Sequence, residues 1–495
     1  MSQAKIIVDK DYRVAPVEKH LFGSFIEHLG RAVYSGIYEP GHPKADEQGF
    51  RTDVLELVKE LGVSIVRYPG GNFVSGYNWV DGIGPKDQRK RRLELSWKSI
   101  ETNEFGIDEF VDWCHKAQIE VMAAVNLGTG TPQDAGNLVE YCNHPSGSYW
   151  SDLRIKNGHR NPHNIKVWCL GNEMDGPWQI CHLEADDYGK KARETAKIMK
   201  WIDPDLKLVV AGSSGPGMPT FPEWDRVVLE TCWEHVNYLS IHMYVSNHHE
   251  QDTPSYLALS RRFEEFVDIM ASTLRYVKAK NRSQHDVYLS WDEWQVWHPG
   301  ESHDHWTEAP HLAEYNYNLE DALVVTQWLN VFLRKCDVLK IACVAQIVNI
   351  ISWLHTTREA LLKETSFYPF QLVSNHARGN SLDLLVRAPL YTTKQFGDMP
   401  LLDAAATHDP TTGAQAVFLV NRSQSEPLTT TLTWQDGAPT RVKAAYQISG
   451  TDPKAENSFA NPHVIVPKPV SGLHLDGPSL TLQLPPLSFT TIALG

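Results

Sequence analysis

Two glutamates close two apolar runs in this chain, and paired carboxylates so placed can break a glycosidic bond. Residues 165–170, mostly apolar or β-branched, lead into Gly171-Asn172-Glu173-Met174-Asp175-Gly176, and residues 287–291 lead into Asp292-Glu293-Trp294. A strand that ends on a carboxylate sets it at the rim of a sheet, within reach of a ligand. Two such groups suffice for glycoside cleavage: one protonates the departing oxygen while the other attacks the sugar or activates water.

Positioning them requires a ring of strands. Candidate strands recur at 21–28, 63–69, 120–127, 165–173, 207–212, 236–244, 287–294 and 341–349. Helical spacing fills the intervals. Val54, Leu55, Val58 and Leu61 fall on one face of a helix over 52–61, and 105–117 and 187–202 read the same way. Eight such units in about 350 residues predict a (β/α)8 TIM barrel. No glycine-rich phosphate loop follows the first strand, which argues against a doubly wound open sheet. From Leu382 onward short alternating runs separated by Pro, Gly, Asp and Asn take over (416–420, 428–434, 442–448, 480–484, 488–494), predicting a C-terminal antiparallel β-sandwich, jelly-roll-like. The expected division is an N-terminal strand segment 1–17 joining the sandwich, a catalytic barrel 18–379 and the sandwich domain 380–495.

Active sites of such barrels form at the C-terminal strand ends. Read in order, those ends carry Glu27-His28, Arg67 with Asn72, Asn126, Asn172-Glu173, His242 with Tyr244, Glu293 and Gln346. Each alone has a structural explanation: Glu27 could pair with Arg67, His242 could be a hydrogen-bonded core histidine, Gln346 could cap a loop. Together they form a polar rim that a purely structural barrel does not need. Glu173 and Glu293 close the fourth and seventh strands, 120 residues apart, and are expected to face each other across the mouth. A retaining double displacement needs carboxyl groups about 5–5.5 Å apart, an inverting one about 6.5–9.5 Å.

The remaining features narrow the class. A net charge of −14 spread along 495 residues argues against nucleic acid, and the basic run Arg89-Lys90-Arg91-Arg92 lies between Asp87 and Glu94 as a solvated loop. Seven cysteines without metal-like spacing fit a reducing compartment. The first residues lack a signal peptide's apolar core and no segment reads as a membrane span, so the expected location is cytoplasmic, with no membrane partner. His303-Asp304-His305 and His248-His249-Glu250 have the composition of metal ligands, but a two-carboxylate reaction needs none, and neither metal nor cofactor is expected. Trp294, Trp297 and Trp306 are either sugar-stacking surface or barrel-top core.

Several segments resemble glycoside hydrolase family 51, the intracellular α-L-arabinofuranosidases. They are Phe25-Ile26-Glu27-His28-Leu29-Gly30-Arg31, Arg67-Tyr68-Pro69-Gly70-Gly71-Asn72-Phe73, Gly171 to Trp178, Asp292-Glu293-Trp294, Phe367-Tyr368-Pro369-Phe370 and His376-Ala377-Arg378-Gly379. The resemblance implies that Glu173 is the general acid/base and Glu293 the nucleophile. It implies that Glu27, Asn72, Asn172 and Gln346 bind the furanose hydroxyls, and that Trp97 and Trp178 offer aromatic surface beside the sugar. Tyr244, which also borders the substrate, would support the nucleophile with Arg67 and His242. Ala32, Gln295 and His298 depart from the family's pattern. The expected activity is exo-acting, retaining hydrolysis of terminal arabinofuranosyl residues from arabinoxylan or arabinan oligosaccharides, by a homo-oligomer that the resemblance makes a hexamer. The rivals are another retaining activity on the same scaffold, such as a β-xylosidase or endoglucanase, and a catalytically inactive carbohydrate-binding barrel.

Overall fold

The computed structural model describes residues 2–298 and 306–495. Eight parallel strands close into a barrel. In chain order they are β1 (Gly23–Phe25), β2 (Ile65–Tyr68), β3 (Glu120–Val125), β4 (Val167–Leu170), β5 (Lys207–Ala211), β6 (Tyr238–Val245), β7 (Tyr288–Val296) and β8 (Leu339–Ala345). Each strand is followed by a helix that lays an apolar face on the ring. The helix Thr52–Leu61 buries Val54, Leu55, Val58 and Leu61, as its spacing predicts, and ends on Gly62 in the left-handed conformation. Inside the ring, apolar residues such as Ile65, Met122, Ala124, Val209 and Ile341 fill the barrel.

The strands differ from their expected bounds at the ends that matter. β1 spans three residues and stops before Glu27, because the chain turns away to reach the pocket. β7 continues past Glu293 to Val296, so the carboxylate stands within the strand. β4 and β7 are separated by β5 and β6 on one arc of the ring, so they are not diametrically opposed.

Two further sheets pack as a sandwich. One orders Leu385–Arg387, Ser2–Asp9, Leu428–Asp436, Ser479–Leu484 and Leu475–Asp476, and the other contains Leu402–His408, Gln415–Asn421, Ser488–Leu494 and Val442–Ser449. Ser2–Asp9 alternates buried Ala4, Ile6 and Val8 with outward Gln3, Lys5 and Ile7. It runs parallel to Leu428–Asp436, an exception in an otherwise antiparallel sandwich; the barrel itself is the long crossover that parallel pairing demands.

The helix after β7, Leu319–Arg334, is buried on every side from Leu319 to Leu333. A helix buried all round belongs between layers, and this one lies where barrel meets sandwich, with its buried polar residues paired. Its Asn330 and Arg334 bond Asp403 of the sandwich, and Arg422 bonds Gln327 and Ser260 in return. None of the helices described is long and apolar enough to cross a membrane. All seven cysteines are free, six of them buried as small hydrophobes.

Candidate active site

At the C-terminal ends of the strands lies a cavity of about 770 Å³, with Glu27, Asn72, Trp97, Glu173, Trp178, Tyr244, Glu293 and Gln346 in its lining. These residues come from widely separated loops and strands, and the barrel brings them together. Glu173 sits three residues past β4 with φ at +43°. A residue with a Cβ adopts that left-handed conformation at a cost of about 1–2 kcal/mol, which the surroundings must offset. The turn directs the carboxylate into the mouth.

Each oxygen of the two central glutamates has a donor. The Arg67 guanidinium donates to Glu293 Oε1 at 2.7 Å, and the Tyr244 hydroxyl donates to Oε2 at 2.8 Å. His242 Nδ1 lies 2.9 Å from Glu173 Oε1, and the Trp178 indole donates to Oε2 at 2.8 Å. Gly176 permits this, since a Cβ there would fall 2.5 Å from the Trp178 ring. One carboxylate oxygen of each glutamate and a His242 nitrogen all lie within 4.8 Å of one another. That spacing suits direct attack on a sugar carbon and is shorter than the separation inverting pairs use.

Beneath the pocket, Arg67 bonds the Asn172 side-chain oxygen at 2.5 Å, and its Nε lies 3.6 Å from Asp292. Its guanidinium also stacks over Phe25, 4.9 Å from the ring centroid. Asn172 reaches Asn72 at 3.4 Å, so Arg67, Asn172 and His242 form a floor under the residues that face the cavity. His242 is nearer to Glu173 than to Glu293, whose Oε2 is 3.6 Å away. Burial alone would lower the His242 pKa, but Glu293, Asp292 and Glu173 around it push it up to about 10.

Glu27 forms the opposite wall. Its Oε1 accepts the Phe73 N–H at 2.8 Å and the Trp97 indole at 3.0 Å, while its own N–H donates to Gln346. The carboxyl lies over Gly71, where a Cβ would come within 2.4 Å of Oε2. Burial, helped by the Glu293 charge, pushes Glu27 up to about 8 against those two N–H bonds. That shift favours the neutral acid, the form that can donate to a sugar hydroxyl.

Two rim residues turn elsewhere. His28 bonds Glu101 and Tyr68 and stacks on Phe73, and Asn126 accepts the Gly128 and Gly130 N–H groups of its own loop. Trp294 is buried against Trp328, Phe332 and Trp353, whereas Trp297 borders the cavity and Trp306 is exposed. In the basic run, Arg89 pairs with Glu109, Arg91 with Glu308, and Lys90 and Arg92 with Asp81. His303-Asp304-His305 lies outside the described residues. His248 and His249 pack ring against ring on a loop. Among the described residues, two sets of atoms converge closely enough to hold a cation: Glu173, His242 and Glu293 in the pocket, and Asp108, His159 and His163 outside the barrel. Hydrogen-bonded ion pairing accounts for both, with His163 at 2.7 Å from Asp108.

Sequence reasoning overlooked Asp292 and Ser240. Strict alternation points Asp292 away from the face that Glu293 occupies. The β6–β7 ladder shifts register between Ser240 and His242, so Ser240 pairs with Ser290 but His242 with Glu293. This irregularity turns both acidic side chains inward. Pro216, Leu312 and Tyr315 also border the cavity, on loops that carry no motif.

Residues 57–262 match the α-L-arabinofuranosidase 1 domain, and residues 292–488 match the α-L-arabinofuranosidase C-terminal domain. The chain is 47% identical over 499 residues to intracellular exo-α-(1→5)-L-arabinofuranosidase 1 of Bacillus subtilis strain 168, covering 100% of this chain and 99% of the relative. Its fold superposes on a solved family 51 α-L-arabinofuranosidase from Bifidobacterium longum with a TM-score of 0.96 and 39% identity, covering 100% of both chains. The chain belongs to glycoside hydrolase family 51. An intracellular exo-α-(1→5)-L-arabinofuranosidase of Acetivibrio thermocellus is 46% identical over 504 residues, with both chains covered completely. The family 51 chain is thus a glycoside hydrolase of the α-L-arabinofuranosidase class, built as the barrel and sandwich just described.

Proposed function

We propose that this family 51 enzyme removes terminal α-L-arabinofuranosyl residues by double displacement, with Glu293 as nucleophile and Glu173 as general acid/base. The observation that carries the reading is the spacing of the two carboxylates, within 4.8 Å at their near oxygens, in a cavity rimmed by polar groups. Arg67 and Tyr244 each hold one oxygen of Glu293, favouring the ionised form and fixing its line of attack. Glu293 bonds to the anomeric carbon as Glu173 gives its proton to the leaving oxygen; Glu173 then takes a proton from the water that cleaves the glycosyl ester. Glu27, Asn72 and Gln346 bind furanose hydroxyls in this reading, Asn172 orients Asn72 from the floor beneath, and Trp97 and Trp178 are flanking surface.

The substrates are arabinose-containing oligosaccharides derived from arabinan or arabinoxylan. Names of the Bacillus and Acetivibrio relatives, which specify the α-(1→5) linkage, support arabinan fragments as the first choice. The enzyme works inside the cell, on imported fragments, as a homo-oligomer that is a hexamer by resemblance. It needs neither metal nor cofactor, because the carboxylate pair supplies attack and proton transfer. The functional division is a barrel of residues 18–379 carrying catalysis, braced by a sandwich of 1–17 and 380–495.

The deciding experiment follows the product's anomeric configuration. Proton NMR of the first arabinose released should show the substrate's configuration retained, equilibrating only later by mutarotation. Prompt appearance of the inverted anomer would exclude Glu293 as nucleophile.

Tyr244→Phe tests the support of the nucleophile. It deletes one hydroxyl and keeps the ring, which packs against Trp297 with centroids 5.1 Å apart. We expect kcat/KM to fall about 10²–10³-fold, as when other preorganised donors are lost, with thermal stability little changed. Wild-type turnover in the variant would make Tyr244 a packing residue only.

A further inference from the structure

Behind the two glutamates lies a chain of buried polar groups that the double displacement does not itself require. Asp292 is fully buried beside the nucleophile. It accepts a hydrogen bond from the Ser240 hydroxyl, and Arg67 and Cys169 approach its other oxygen at 3.6 and 3.7 Å. Burial alone would raise its pKa, but Arg67, His242 and Ser240 outweigh that and hold it below the ordinary aspartate value. Ser240 Oγ also lies 3.1 Å from His242 Nε2.

Counting protons along this chain fixes one of them. An ionised carboxylate only accepts, so the single Ser240 hydroxyl proton points to Asp292. The hydroxyl oxygen must then accept from His242, which places a hydrogen on Nε2. Asp292 Oδ1, 3.4 Å from the same nitrogen, favours that hydrogen too. The other ring nitrogen, Nδ1, faces Glu173 at 2.9 Å and Glu293 at 3.6 Å. Asp175, beyond Glu173, is a further acidic group that interacts with the His242 charge.

We propose that Asp292 and Ser240 lock His242 as the Nε2–H form, so that Nδ1 shares one mobile proton with Glu173 and stores it between half-reactions. The proposal rests on Glu173 being the acid/base. In the resting enzyme the proton lies on the Glu173–His242 pair, with Glu293 anionic. During glycosylation it passes through Glu173 to the leaving oxygen as the bond from anomeric carbon to leaving group breaks and the Glu293 ester forms. His242 is left neutral with hydrogen on Nε2. In deglycosylation, water bonds to the anomeric carbon, the ester C–O bond breaks, and the water's proton returns through Glu173 to Nδ1. The imidazolium charge is thus lost in the same half-reaction that consumes the Glu293 charge. The buried site keeps one net charge throughout, sparing it the cost of an uncompensated buried ion. The elevated His242 pKa agrees with a proton resident on the ring.

A shared proton titrates as a property of the pair. Rate is lost as pH rises through the value at which the pair gives up that proton. Weakening the histidine's hold therefore moves the alkaline limb of kcat/KM to lower pH. Asp292→Asn should shift that limb down by about one pH unit, and His242→Gln by more, because the proton then resides on a lone carboxylic acid. Asp292 and Ser240 act as positioning residues, so KM in Asp292→Asn should stay within about threefold of wild type while kcat on alkyl arabinosides drops about tenfold. Should His242→Gln fail to fold, neutron diffraction of the wild-type crystal supplies the independent measure. Deuterium on Nε2 at both pD 6 and pD 9 is expected, and a bare Nε2 at either overturns the relay. An unmoved alkaline limb in a folded Asp292→Asn variant also overturns it. Failure of the underlying reading would look different, as a uniform loss in Glu173→Ala across all leaving groups.

Discussion

Glu293→Ala should lower kcat/KM about 10⁵-fold on every arabinofuranoside, the largest effect expected of any single substitution here. Without the carboxylate no glycosyl ester forms, and Arg67 and Tyr244 lose the oxygens to which they donate at 2.7 and 2.8 Å. The truncation leaves a small space at the attack position, so azide or formate can enter and displace an activated leaving group directly. A single displacement inverts, and the rescued product should be the arabinofuranosyl azide of opposite configuration to the substrate. A rescued product of retained configuration, or residual activity within about 10²-fold of wild type, would assign the nucleophile elsewhere.

Glu173→Ala should act selectively. An alkyl leaving group departs poorly without a proton, so natural linkages should lose about 10³–10⁴-fold in kcat/KM, within the range general acid catalysis supplies. Aryl substrates with good leaving groups need little protonation and should lose about tenfold or less at the glycosylation step. Their glycosyl ester then accumulates, since nothing removes a proton from water. Azide needs no base, and it should restore turnover with retained configuration, opposite to the Glu293→Ala outcome. Burst kinetics on the aryl substrate would display the accumulated ester. An equal loss on both substrate types, with no azide effect, would move the acid/base role to another group.

The convergence of Glu173 and Glu293 in one cavity was legible in the sequence because β4 and β7 are short apolar runs that lead directly into chemistry-bearing residues. The eight-unit beat of the barrel was equally plain, as were its amphipathic helices. What the sequence hid was local backbone geometry. Glu27 was read as closing a strand, yet β1 stops at Phe25, and it is the turn beyond the strand that sends Glu27 to the pocket and His28 to Glu101. Asp292 was hidden by the register shift, which no periodicity argument anticipates. The resemblance implies that His242 supports Glu293, but the ring lies nearer to Glu173, at 2.9 Å against 3.6 Å. Side-chain partners across a barrel depend on strand stagger, and spacing along the chain carries no record of it.

The pairing of Ser2–Asp9 with Leu428–Asp436 bears on how the protein is made. Ser2 and Glu426, which are in hydrogen-bond contact, are 424 residues apart. At ribosomal rates of about 5–20 residues per second, the first strand waits on the order of 20–85 s before its neighbour is synthesised. For that interval Ala4, Ile6 and Val8, fully covered in the finished molecule, have no native sheet to join. The barrel must form while tethered at one end to an unsatisfied apolar strand, the kind of segment that chaperones capture and that seeds misassembly on crowded ribosomes. A gene shortened after the barrel would make this condition permanent, yielding a chain whose first strand can never be covered.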